Sequence, residues 1–77
     1  MGGAYIIAYG RTKEEAERLR DREVRVAREE WGLVDVRYVE SKRIVVEPED
    51  AQWALEGCGL RLQVGQQAWI AGAHVHS

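Results

Sequence analysis

The chain has 77 residues, 31% of them charged, with a net charge of −2 and one cysteine. That length makes one domain, the lone thiol excludes an intrachain disulfide, and no Cys/His cluster has the spacing of a structural zinc site. The slightly acidic balance argues against a nucleic-acid binder, which carries a basic field. No apolar run nears the roughly 20 residues of a membrane span, and Met1 to Tyr9 lacks the basic start of a signal peptide, so a cytoplasmic protein is expected.

Charge is spread very unevenly. Thirteen of the nineteen residues from Lys13 to Trp31 are charged, whereas from Gly57 to Ser77 only Arg61 is. A stretch of the first kind is a solvated helix. One of the second kind belongs in a core or against another chain.

Residues 4–9 (AYIIAY) read as a strand, with Tyr5, Ile7 and Tyr9 on one face and Ala4, Ile6 and Ala8 on the other. Thr12 and Glu15 then form a capping box. Ala16, Leu19, Val24, Val26, Ala27 and Trp31 fall on one arc of the helix that follows, and Gly32 is placed to end it in the left-handed conformation. Residues 33–39 and 42–47 read as two strands joined across Glu40–Ser41. Pro48, Glu49 and Asp50 suit the start of a second helix that Gly57 can stop. Leu60, Leu62 and Val64 alternate with polar residues as a further strand. Gly65–Gln66 then serves as a type II′ turn, with a return strand from Gln67 to about Val75 that places Trp69 opposite Leu62.

The order βαββαββ resembles the split-βαβ, ferredoxin-like pattern, βαββαβ with an extra C-terminal strand. This is a two-layer α+β sandwich spanning residues 1–77 as a single domain, with both helices on one sheet face. The alternative is one long helix cradled by a curved antiparallel sheet, with residues 49–56 as a turn. Ferredoxin-like folds host many unrelated functions, so the resemblance carries no activity.

Alternation sets the sheet face away from the helices: Tyr5, Ile7, Tyr9, Arg37, Val39, Arg43, Val45, Arg61 and Ile70. Aromatic residues and arginines with scattered aliphatics resemble a protein interface. The same mixture could stack on RNA, but the aromatic strand signature of RNA-binding modules is absent. Trp53 lies away from the apolar side of its helix, as an interface anchor would, whereas Trp31 and Trp69 read as core anchors. His74 and His76, two apart on a strand, project from one side and supply two of the three or four ligands a metal needs. Cys58 follows a helix end, without the helix N-terminus or positive neighbour that a reactive thiolate needs, and reads as a small buried filler or an inert exposed thiol. Gly57 and Gly59 are turn chemistry. Arg20 and Glu23 fall inside the apolar arc, where Arg20 can lay its stem over apolar neighbours.

No Ser/His/Asp or Cys/His pairing has workable spacing, and no cofactor motif occurs. The expectation is a non-enzymatic protein-binding or assembly module. It would associate with itself, or bind and inhibit a larger partner, through the uncharged C-terminal hairpin or the open sheet face. Its contact residues would be Tyr5, Tyr9, Arg37, Arg43, Trp53, Arg61, Trp69 and Ile70. A last strand without Lys, Asp, Glu or Pro lacks the usual protection of a sheet edge. The alternative is a small-ligand or metal-binding regulatory domain using His74 and His76 or the Arg-lined face.

Overall fold

The structure, a computed structural model, describes residues 3–76. Five elements follow in order: β1 (Gly3–Gly10), α1 (Lys13–Trp31), β2 (Asp35–Val45), α2 (Pro48–Cys58) and β3 (Gln67–His76). The architecture is α+β, with three antiparallel strands arranged β1-β3-β2. The last strand is the central one, paired along its length with β1 on one side and β2 on the other.

The helix α1 starts and stops where its caps dictate. Thr12 Oγ1 accepts from the Glu15 N–H at 3.0 Å. The Glu15 carboxylate reaches one residue further back than a capping box requires and accepts from the Arg11 N–H at 2.7 Å. Gly32 takes φ 68°, and its N–H bonds the Ala27 carbonyl. The helix buries Ala16, Val24 and Ala27 against a sheet lined by the buried alanines Ala8, Ala71 and Ala73. Small residues on both sides let backbone approach backbone. The limit is Gly10, where a Cβ would lie 2.4 Å from the Ala16 nitrogen.

Two apolar clusters occupy opposite faces of the sheet. Ile6, Ala73 and Val75 pack with Val24, Ala27 and Leu33 on the α1 side. Tyr9, Ala68 and Val46 pack with Ala54 of α2 and with Leu62. Ile6 and Tyr9 have opposite parity on one strand, so their side chains leave by opposite faces. The helices therefore lie on opposite sides of the sheet. Each fully buried valine, Val46 in one cluster and Val75 in the other, contributes about 1.5–3 kcal/mol.

The ferredoxin-like arrangement is not what forms: three strands are present among the described residues, and the helices flank the sheet. The alternative of one cradled helix also gives way, because residues 48–58 are a full helix. The expected hairpin across Glu40–Ser41 is a single long strand with a β-bulge. Val39 pairs with Gly72 and Lys42 with Ile70, so Glu40 and Ser41 together oppose Ala71. The extra residue changes parity. Val36 packs on the α1 cluster, while Ile44 and Val46, also even-numbered, join the α2 cluster. The Ser41 hydroxyl donates to Glu17 of α1 at 2.7 Å, which ties the bulge down.

Residues 59–66 are a loop rather than a strand. Both sides of β3 are already paired, so Leu60–Val64 has no free edge of that strand to join. Leu60 and Leu62 pack onto the α2 cluster instead, and Val64 is exposed. The turn uses Val64–Gly65, not Gly65–Gln66. The Gln66 N–H bonds the Gln63 carbonyl, and Gly65 has φ 94° at the third position, as in a type II turn. Helix α2 runs past Gly57 and is closed by Gly59, whose φ is 65°. Neither helix is long and apolar enough to cross a membrane.

Candidate association surface

The edges of the sheet are β1 and β2, and their chemistry differs. β2 carries Asp35, Arg37, Glu40, Lys42 and Arg43 as well as the bulge. Charges and a bulge are the usual protection against edge-to-edge pairing. β1, GAYIIAYG, has no charged residue, no proline and an unbroken register with β3.

Hydrogen bonding at the sheet end identifies which β1 groups face outward. The Gln66 carbonyl accepts from the Val46 N–H, and the His76 carbonyl from the Val34 N–H. Even-numbered residues of β3 therefore turn their backbone groups toward β2, and odd-numbered ones turn toward β1. In the β1–β3 register the odd residues Val75, Ala73 and Ala71 meet Ala4, Ile6 and Ala8. Gly3, Tyr5, Ile7 and Tyr9 are left with N–H and C=O directed away from the sheet. No other backbone hydrogen bond to β1 occurs among the described residues.

The same four residues share the side-chain face opposite α1. Tyr5 is 51% exposed and Ile7 40%, and Trp53 of α2, at 46%, stands beside them. With Tyr9, Glu56 and Gly57 they line a groove of about 440 Å³ between α2 and β1. Tyr5 leans inward over Gly72, where a Cβ would lie 2.9 Å from its hydroxyl. Its ring meets His74 edge-on at 4.4 Å.

Tyr9 anchors the groove. Its hydroxyl donates to Asp50 Oδ1 at 2.9 Å, and Asp50 Oδ2 accepts the Glu47 N–H at the start of α2. Burial, reinforced by Asp50, pushes the Tyr9 phenol well above its ordinary range. It stays neutral and structural.

Several expected contact residues lie elsewhere. Tyr9 is buried at 1% exposure because α2 covers the face assumed to be open. Arg43 and Val45 follow the bulge and turn to the α1 side, where the Arg43 guanidinium lies 5.5 Å from the Trp69 ring centroid. Trp69 is half-buried on the central strand opposite Gly10 and Arg43, so it is not on an edge. Arg61 is off the sheet, in the loop, and its carbonyl accepts from Arg11. Ile70 packs against the α2 cluster. Trp31, expected in the core, is 62% exposed, since it is the final residue of α1. Tyr5, Arg37 and Trp53 are exposed on the α2 side.

His74 and His76 hold their rings parallel, 6.4 Å apart. No group of three or more His, Cys, Asp or Glu side chains among the described residues could hold a metal ion. Cys58 is half-buried against the α2 cluster, in keeping with a filler. Arg20 lies over the Tyr38 ring at 4.6 Å and bonds Asp21 at 2.9 Å, covering apolar surface with its head still paired.

Sequence reasoning overlooked Ile7, Glu56 and Gly57 as neighbours of Trp53, and the β1 edge itself. The missed signal was the contrast between an uncharged 3–10 and a charged 35–45. Comparison of the chain with protein-family models, curated proteins and solved structures finds no match.

Proposed function

We propose that this chain is a small non-enzymatic assembly module of the cytoplasm that adds a strand along β1, and that the strand is β1 of a second copy. The observation that carries this reading is the pairing of an uncharged, unbulged edge at β1 with a charged, bulged edge at β2. Two copies meeting antiparallel about a two-fold axis keep their faces in register, so odd residues must oppose odd residues. Centring on Ile6 sets Tyr5 of each copy opposite Ile7 of the other. Such aromatic and β-branched cross-strand pairs contribute roughly 0.2–1 kcal/mol each. Only one edge is unguarded, so pairing closes at two copies instead of growing into a fibre. A larger partner protein could be bound and blocked through the same edge by strand addition.

Light scattering on untagged protein across a concentration series tests this, with Ile7→Lys alongside. A dimer that becomes a folded monomer in the variant is the expected result. A wild-type monomer at every concentration would sink the self-association reading and leave a different protein as the strand donor.

One observation favours a second reading, metal binding by His74 and His76: their rings are already parallel on one face of β3. A zinc titration with His74→Ala/His76→Ala decides it, since only histidine-dependent binding supports that role.

A further inference from the structure

The groove between α2 and β1 has a chemical character that strand pairing alone does not account for. The exposed rings of Tyr5 and Trp53 line it above the buried Tyr9, together with Glu56, whose carboxylate accepts from Gln52 Nε2 at 3.0 Å. Aromatic faces carry negative potential and attract cations, most strongly at tryptophan. The helix forming one wall reinforces that sign. α2 contains Glu49, Asp50 and Glu56 and no basic residue, and its last turn is uncompensated by any Lys or Arg. That turn is the negative end of the helix. Of its final carbonyls, Leu55's accepts the Gly59 N–H, while those of Glu56 and Gly57, both at the groove, receive no backbone donor among the described residues.

Aromatic faces, an acidic helix and the free carbonyl end of that helix thus favour the same occupant. We propose that the groove is a binding site for an organic cation, an alkylated ammonium group. The aromatic rings accommodate its weakly hydrated alkyl arms, and Glu56 with the helix end balances the charge. A strongly hydrated metal ion would gain nothing from the rings, and an anion would meet the acidic helix. The site shares Tyr5 and Ile7 with the cross-strand pairs proposed above, whereas Trp53 and Glu56, on α2, take no part in them.

The test uses choline and its uncharged carbon isostere, 3,3-dimethyl-1-butanol, followed through the three tryptophan indole N–H resonances of the labelled protein. Trp31 is exposed and stands apart from the groove, so it serves as an internal control for non-specific contact with an indole. The expected result is a saturable shift of the Trp53 resonance with choline. The isostere should bind about fivefold more weakly, as the loss of an exposed cation–π contact predicts. Glu56→Gln should weaken choline binding while leaving the isostere unchanged, and added salt should do the same. The proposal is overturned if the isostere binds as well as choline, if Trp31 and Trp53 shift alike, or if Trp53 does not move. Circular dichroism of Glu56→Gln keeps a folding defect from being taken for a binding one.

Discussion

β1 and β2 pair with the same central strand yet could hardly differ more. β2 is eleven residues long, carries five charges and is bent by a bulge; β1 has eight residues and no charge. One end of β1 is nevertheless held on both faces, with Gly10 under the α1 backbone and Tyr9 bonded to α2. Its other end, around Tyr5 and Ile7, is exposed. A strand can thus be anchored by its faces while its edge stays open, because packing and hydrogen bonding use perpendicular directions.

Gly10→Val tests the anchored end most severely. A branched side chain 2.4 Å from a backbone nitrogen forces α1 off the sheet. The expected loss is about 3 kcal/mol, the upper end for overpacking, read from urea unfolding at fixed protein concentration. A stable Gly10→Val protein would mean that α1 is not seated on β1 in this way.

Tyr9→Phe probes the same end more gently. Loss of the bond to Asp50 should cost about 1 kcal/mol. It should also change the alkaline limb of stability. The folded-state phenol is raised above its ordinary value of 10.0. Above about pH 10 the unfolded chain therefore releases a proton that the folded chain keeps, and stability falls as pH rises. Below that pH the contribution is fully present. In Tyr9→Phe the decline from this group should vanish, as thermal melts between pH 8 and 11 would show.

Reversing the edges sharpens the comparison further. Arg37→Val/Lys42→Val strips two exposed charges from β2 and should move monomer stability by less than about 0.5 kcal/mol. Light scattering should nonetheless show mass growing beyond a dimer as the second edge becomes competent. An unchanged mass would assign the guarding to the bulge rather than to charge. The smallest effect belongs to Trp31→Ser, within about 0.5 kcal/mol in the same urea assay, because that ring is 62% exposed.

What the sequence made legible was local. The Thr12 cap, the Gly32 stop and the long α1 depend on neighbours in the chain, and so does the start of α2. Strand partnership depends on what lies far away. Leu60–Leu62–Val64 has a strand's alternation but no place in the sheet. Glu40–Ser41 breaks alternation as a turn would, yet the chain runs straight on with one residue to spare. That bulge redirected Arg43 and Val45, which is why two of the nine residues expected on the open face lie on the other one. Trp53 and Tyr5 were legible as exposed aromatics. Their proximity was not, because it arises from α2 crossing to the side of the sheet away from α1. The last strand, which lacks the usual protection of an edge, is covered on both sides within the sheet, and the uncharged edge is β1.

The central place of β3 has a consequence for how the molecule is made. β1 and β2 are not paired with each other; among the described residues the backbone ladder of each runs only to residues 67–76. As the chain leaves the ribosome, α1 and α2 can form from local signals, but no part of the sheet can close until its last-made strand arrives. Pairing Gly3 with His76 then closes a loop of nearly the whole described chain, and such non-local closure is slow. During that interval the uncharged β1 segment waits without any partner. The feature that suits it to assembly later makes it the nascent chain's most exposed liability to misassociation first.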